Sequence, residues 1–127
     1  MHLRSLVDTN IINFIESNPL DKRRSVAESI IRKYPQHIPI VIGRADIQLT
    51  PPINKYKYII RRDSTLANFI QEIRKDLPSL GPSTGLFFFF LDNTIAPLTA
   101  TMQTLYDKHR DDDGFLYLIY SCENTFG

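Results

Sequence analysis

The chain gathers its apolar residues into short runs, and the longest unbroken one, Leu86 to Leu91, has only six residues. A helix needs about 20 predominantly apolar residues to span a bilayer, so the sequence predicts no transmembrane segment. A run of this length suits a β-strand, and strands buried on both faces are apolar without alternation. The run therefore predicts a central strand that is covered on both faces.

Two helical patterns followed by two extended patterns occupy the first half of the chain. Apolar spacing predicts a short helix over 9–17, capped by Asp8 or Thr9, and a second helix that starts at Asp21 and stops before Pro35. Alternation over 38–42 predicts a strand, in which a proline, Pro39, indicates an edge or end position. A second strand over 55–60 is expected to pair with it across a long loop.

The second half contributes two more helices and two more strands. A helix is expected from an N-cap at Ser64 to Pro78, and another, around residues 102–106, from a cap at Thr99 or Thr101. An extended piece lies near residue 95, and the last strand covers 115–121. Two leading helices followed by β-β-α-β-(β)-α-β describe an α+β fold of the β-grasp type.

The length of 127 residues predicts one domain. The single cysteine, Cys122, cannot form an intramolecular disulfide, which favours a reducing compartment. Charged residues interrupt the N-terminal apolar residues, so no signal peptide is indicated. We therefore expect a cytosolic protein.

The net charge of +1 hides an asymmetry, because residues 1–75 hold 13 Lys/Arg and 7 Asp/Glu, whereas residues 76–127 hold 2 and 7. The basic run at 22–24 is either a solvated helix face or a surface for acidic partners such as tubulin or an anionic membrane. The near-neutral total argues against nucleic acid as a partner.

No set of residues with catalytic or metal-binding spacing is present in the sequence. The three histidines are scattered, and the loop 81–85 lacks the lysine of a phosphate-binding loop and precedes a strand. We expect neither an enzyme nor a bound metal or cofactor.

Several strings in the sequence occur together in a recognisable order, at residues 19–25, 31–35 with 38–41, 86–90, 97–102 with 105–106, 115–117 with 120–121, and 126–127. They resemble one family, the GABARAP-like ubiquitin-like modifiers of autophagy. The resemblance implies a ubiquitin-like β-grasp fold with two additional N-terminal helices. It also implies that residues 14–127 form the ubiquitin-like domain with its C-terminal conjugation tail, and that residues 1–13 are an extension. The apolar residues of that extension either dock on the domain or contact a membrane.

The resemblance further implies covalent attachment of Gly127 to the amine of phosphatidylethanolamine on the autophagosome membrane. The partners it implies are an E1-like activating enzyme, an E2-like conjugating enzyme and a cysteine protease that processes and delipidates the modifier. Family precursors often carry a tail after this glycine, and the sequence leaves open whether Gly127 is exposed by such a cut. An alternative is a β-grasp interaction module that binds peptides but is never conjugated.

A peptide-binding site is the second implied property. Cargo receptors and adaptors of such proteins carry aromatic-x-x-aliphatic motifs, which add as a strand to the second strand of the sheet. By motif match, the aromatic pocket falls on Ile30, Pro39, Val41, Lys57, Ile59 and Phe115. The aliphatic pocket falls on Tyr58, Ile60 and Phe69. Lys55, Lys57 and His37 are expected to meet acidic residues that flank the motif.

The sequence departs from the family pattern around the second pocket. Arg61, Ser64 and Glu72 stand where the family is usually apolar, and Asp76 replaces an expected basic residue. Val26 takes the place of a frequent acidic residue at the first pocket. The second pocket is therefore expected to be shallower or more polar, with a changed partner preference.

Overall fold

The computed structural model describes residues 9–45 and 50–122, and these ranges contain four helices and four strands. The helices are α1 (Thr9–Ser17), α2 (Leu20–Lys33), α3 (Leu66–Lys75) and α4 (Met102–His109). The strands are β1 (His37–Arg44), β2 (Lys57–Arg61), β3 (Leu86–Phe89) and β4 (Leu116–Cys122). The order of elements expected from the sequence is confirmed. Gly127 and the expected cap Asp8 lie outside the described residues.

The four strands form one mixed sheet with the order β2-β1-β4-β3. β1 pairs antiparallel with β2, which confirms the expected long-looped hairpin, and it pairs parallel with β4. β3 pairs antiparallel with β4. Parallel pairing of the first and last strands, with α3 crossing between them in sequence, is the β-grasp arrangement.

Helices cover both faces of this sheet, because side chains alternate along each strand. On one face, Leu116, Leu118 and Tyr120 of β4 pack in a buried cluster with residues of α3 and α4. On the other face, Tyr117 and Ile119 pack with residues of α1 and α2. Ile11 of α1 belongs to this second cluster and is 2% exposed, so the part of the extension that the structure describes docks on the domain.

The expectation that residues 86–91 form a central strand was wrong. β3 lies at the edge of the sheet, and its Phe87 side chain is exposed. The inner strands are β1 and β4, which contain polar residues such as His37, Arg44 and Ser121, whereas every residue of β3 is apolar. A wholly apolar strand is therefore not always an inner strand, because apolar content reflects contacts of the strand's faces and does not determine which strands pair with each other.

Pro39 lies on an inner strand, at a position where it has a neighbouring strand on one side. Pairing between β1 and β4 begins at Ile40, so the missing N–H of Pro39 removes no bond to β4. The expected edge or end position in the strand is therefore wrong, and the proline is tolerated because it precedes the first residue that pairs with β4.

The N-cap of α3 is Thr65, not the expected Ser64. The Thr65 hydroxyl accepts a hydrogen bond from the Asn68 backbone N–H at 3.1 Å, and the Asn68 side-chain oxygen accepts one from the Thr65 N–H at 3.0 Å. These reciprocal bonds satisfy two donors at the helix start, which Ser64, followed three residues later by Ala67, cannot match. α4 begins with a cap at Thr101, one of the two expected positions. Within the described ranges, no helix has the length and apolar content needed to cross a bilayer.

Candidate functional site

The outer edge of β2 is open for pairing with a further strand. The sheet has two edge strands, β2 and β3. The edge of β3 is partly covered by the chain that follows it, because Ala96 N–H donates to the Phe88 carbonyl at 2.8 Å and Phe90 N–H donates to the Thr94 carbonyl at 2.9 Å. In the part of the chain that the structure describes, no strand pairs with the outer edge of β2. Unpaired backbone groups of this kind are a template for strand addition.

A cavity of about 210 Å³ lies beside β2 on the side of α2, and we call it the α2-side cavity. Ile30 comes from α2, and Lys57 and Ile59 alternate along β2, so they point to the same face of the strand. Phe115, fully buried just before β4, contributes to the lining. These four residues belong to the expected aromatic pocket, and the fold brings them together.

A second cavity of about 240 Å³ lies between β2 and α3, and we call it the α3-side cavity. Its apolar lining includes Tyr58, Ile60 and Phe69, the three residues of the expected aliphatic pocket. The rings of Tyr58 and Phe69 pack edge to face, with centroids 5.7 Å apart. Lys55, Tyr58 and Ile59 line both cavities, so the two adjoin across β2.

Three of the expected site residues line neither cavity. Pro39 and Val41 are buried within β1, behind the α2-side cavity. His37 pairs with Arg61 in register, whereas Val41 pairs with Lys57, so His37 lies about 13 Å along the strand from the lysine end. The structure therefore separates His37 from Lys55 and Lys57, with which it was grouped.

Two ammonium groups lie at the mouths of the cavities. The Lys55 Nζ atom is 4.5 Å from the centre of the Tyr58 ring, and the Lys57 Nζ atom is 5.6 Å from the centre of the Phe14 ring of α1. Both lysines are exposed, and the aromatic rings hold their charges near the β2 edge. This end of the edge is therefore suited to acidic groups on a ligand.

Charged residues of α3 and of its C-cap also line the α3-side cavity, namely Glu72, Lys75 and Asp76. The Tyr58 hydroxyl donates to the Asp76 carboxylate at 2.7 Å. Burial, with this hydrogen bond and the carboxylate charge added, raises the pKa of Tyr58 well above its ordinary value, so the phenol stays protonated. Lys75 was not singled out from the sequence. The helical spacing of Phe69, Glu72 and Asp76 is the signal that places this face of α3 in the cavity.

A larger cavity of about 320 Å³ lies elsewhere, lined by Phe90, Leu91, Asp92, residues 108–111 and Tyr117. It does not adjoin the open edge of β2 and offers no strand for a peptide to pair with. Among the described residues, no group of three or more His, Cys, Asp or Glu is placed to hold a metal ion.

Comparison with known proteins identifies the family. A family model described as "Autophagy protein Atg8 ubiquitin like" matches residues 22–127. The chain belongs to the Atg8 family. The GABARAP-like family and the ubiquitin-like fold expected from the sequence strings are thereby confirmed.

Curated relatives and a solved structure agree with this Atg8 assignment. Autophagy-related protein 8 of Dictyostelium discoideum is 41% identical over 118 residues, covering 93% of this chain and 96% of that protein. Autophagy-related protein 8a of Arabidopsis thaliana is 42% identical over 115 residues, covering 91% and 93%. The crystal structure of Trypanosoma brucei ATG8 has a TM-score of 0.79 and 29% identity, covering 90% of this chain and 97% of that chain. As an Atg8-family member, the chain is a ubiquitin-like protein of autophagy that works with the autophagy machinery.

Proposed function

We propose that this Atg8-family chain is a modifier that is conjugated through Gly127 to phosphatidylethanolamine and that docks receptor and adaptor peptides of the form aromatic-x-x-aliphatic. Family membership supports both activities. The single observation that carries the peptide-binding activity is the pair of adjoining cavities at the open edge of β2.

The spacing of the motif fits the positions of the two cavities. Residues three apart in an extended peptide point to opposite faces, because side chains alternate with a period of two. Lys57 and Ile59 line the α2-side cavity from one face of β2, and Tyr58 and Ile60 line the α3-side cavity from the other. A peptide added along β2 thus directs its aromatic residue to the α2 side and its aliphatic residue to the α3 side.

Ile59→Asp tests the peptide site. Ile59 is 40% exposed, so a charge there is tolerated by the fold, but it faces the bound aromatic residue. We expect a loss on the order of 2 to 5 kcal/mol of binding free energy, from desolvation of the carboxylate and lost packing. The measurement is titration of a fluorescent aromatic-x-x-aliphatic peptide. Ile95→Asp, at an apolar residue 57% exposed outside both cavities, is the matched control and should leave binding unchanged. Equal peptide affinities of the two variants would contradict the placement of the peptide-binding site at β2.

Conjugation requires a C-terminal segment that reaches the active sites of other enzymes. Ser121 and Cys122 are part of β4, so the segment available for conjugation starts no earlier than residue 123. A terminal glycine has no side chain to obstruct attack of an amine on the activated carboxyl carbon. The activating and conjugating enzymes supply the catalysis, and this chain is the group that is transferred. A cysteine protease that processes and delipidates it completes the set of partners.

The conjugated lipid changes where the protein resides. Phosphatidylethanolamine carries two acyl chains, and each buried methylene contributes about 0.8 kcal/mol to membrane affinity. Two chains anchor a protein stably, whereas a single chain binds marginally. In this proposal, a cytoplasmic protein becomes a docking platform on the autophagosome membrane.

Gly127→Ala tests the conjugation. With E1-like and E2-like enzymes, ATP and vesicles containing phosphatidylethanolamine, we expect a vesicle-bound product whose intact mass equals protein plus lipid minus one water. The Gly127→Ala variant should give little or none, and Ile59→Asp, which leaves residue 127 unchanged, should still be conjugated. If competent enzymes give no product with the intact chain while peptide titration succeeds, the protein is a non-conjugated peptide-binding module instead.

A further inference from the structure

The charge inside the α3-side cavity indicates which peptides this chain selects, an inference that rests on the peptide docking proposed above. The apolar lining of the cavity explains why it accepts an aliphatic residue. It does not explain Asp76, an exposed carboxylate that also lines the cavity.

The stability of α3 does not explain a carboxylate at the position of Asp76. It is the C-cap of α3, and the C-terminal end of a helix carries a partial negative charge that favours cations. Among the described residues, its carboxylate accepts a hydrogen bond from the Tyr58 hydroxyl at 2.7 Å, and this hydroxyl is neutral. No ion pair of Asp76 forms among the described residues.

The lysines that line the cavity already have interaction partners other than Asp76. Lys75 Nζ lies 3.4 Å from the Glu72 carboxylate, and Lys55 Nζ lies over the Tyr58 ring at 4.5 Å. Glu72 is therefore partly compensated within α3, whereas Asp76 is not. A cation brought by a ligand would supply the missing partner.

Of the two motif positions between the anchors, one points to the α3 side, where this carboxylate lies. In an extended peptide, the residue immediately after the aromatic anchor is two positions before the aliphatic anchor, so both point to the α3 side, about 7 Å apart. Tyr58 lines both cavities and holds Asp76 by its hydroxyl, which locates Asp76 near the boundary between the two anchors. We propose that this chain prefers peptides with lysine or arginine directly after the aromatic residue, and that Asp76 is the residue that determines this preference.

The test compares peptides that differ at that one position. Three fluorescent peptides share an acidic flank, an aromatic residue and a leucine three positions later, and carry lysine, alanine or glutamate after the aromatic residue. We expect the lysine peptide to bind most tightly and the glutamate peptide most weakly, with a ratio of about fivefold between these two at low ionic strength. The ratio should shrink as salt is added, because the pair is partly exposed.

Asp76→Asn isolates the charge. Asparagine keeps a side-chain oxygen that accepts from the Tyr58 hydroxyl, so the fold is retained, and a thermal melt checks this. The lysine-to-glutamate ratio should fall to about one in this variant. Asp112→Asn removes an exposed carboxylate in the turn before β4 and should leave the ratio unchanged.

The outcomes separate this inference from the proposed function. Equal binding of the three peptides, or tighter binding of the glutamate peptide, overturns the assigned preference and leaves peptide docking intact. A ratio that persists in Asp76→Asn overturns the role of Asp76. Absence of binding by every peptide overturns peptide docking, and this inference with it.

Discussion

Asp113 is buried and accepts three hydrogen bonds, which join segments far apart in the sequence. Arg23 of α2 donates its Nε–H to the Asp113 carboxylate at 2.9 Å, the Phe115 N–H donates at 2.8 Å, and the Tyr117 hydroxyl donates as well. Arg23 also donates to the carbonyls of Ile15 and Asn18 at the end of α1. The side chains of Asp113 and Arg23 are 0% and 12% exposed, so solvent screens this pair weakly.

Asp113→Asn should be strongly destabilising, because it leaves the largely covered Arg23 guanidinium without its buried counter-charge. Breaking a buried pair in this way costs about 3 to 5 kcal/mol of the free energy of unfolding, measured by urea denaturation. The matched control is Asp63→Asn, which breaks the exposed pair between Arg61 and Asp63 and should change the unfolding midpoint little. Similar losses in both variants would contradict the importance of burial here.

At the scale of elements, the sequence is sufficient to predict which segments are helices and strands, and insufficient to predict how the strands are ordered. Helical and alternating periods depend on neighbours within one element, and they located α1 to α4 within a few residues. The edge position of β3 depends on pairing between distant segments, which apolar content does not encode. The cap at Thr65 was predictable, since Asn68 three residues later completes its reciprocal bonds.

The same distinction applies to the candidate site. Alternation along β2 correctly assigns Lys57 to the α2-side cavity and Ile60 to the α3-side cavity, because it is a local property of one strand. Tyr58 and Ile59, between them, line both cavities. His37 was grouped with Lys55 and Lys57 by charge alone, and the antiparallel register places it at the other end of β2. Lys75 lies three residues after Glu72 on α3, so the helical spacing that places Glu72 in the cavity was also the signal for Lys75.

For the whole molecule, the fold brings together the two oppositely charged halves of the sequence. Arg23 pairs with Asp113, and Arg24 donates to the Asp112 carbonyl at 3.2 Å. Two of the three cations in the basic run at 22–24 therefore contact the acidic turn before β4. Because of these contacts within the fold, fewer cations at 22–24 are free to bind an acidic partner than the sequence suggests.

Buried tyrosines make the free energy of unfolding depend on pH in the alkaline range. Burial, together with the hydrogen bonds to Asp76 and Asp113 respectively, raises the pKa of Tyr58 and of Tyr117 well above 10.0. Burial also raises the pKa of Tyr106. Because each folded pKa exceeds its unfolded value, the stabilisation is complete below about pH 10 and is lost as the pH rises further.

We expect the free energy of unfolding, from urea titrations between about pH 8 and 11, to fall steeply once tyrosines of the unfolded chain ionise near pH 10. Each raised tyrosine contributes at most about 1.4 kcal/mol per pH unit to this slope, and less where its hydroxyl meets solvent. Tyr117→Phe should lower stability at neutral pH, because Asp113 loses a donor, yet it should reduce the slope above pH 10. An unchanged slope in that variant would mean that Tyr117 ionises in the folded protein as readily as in the unfolded chain. Such a result would contradict the stabilisation of its protonated form by burial and by the hydrogen bond to Asp113.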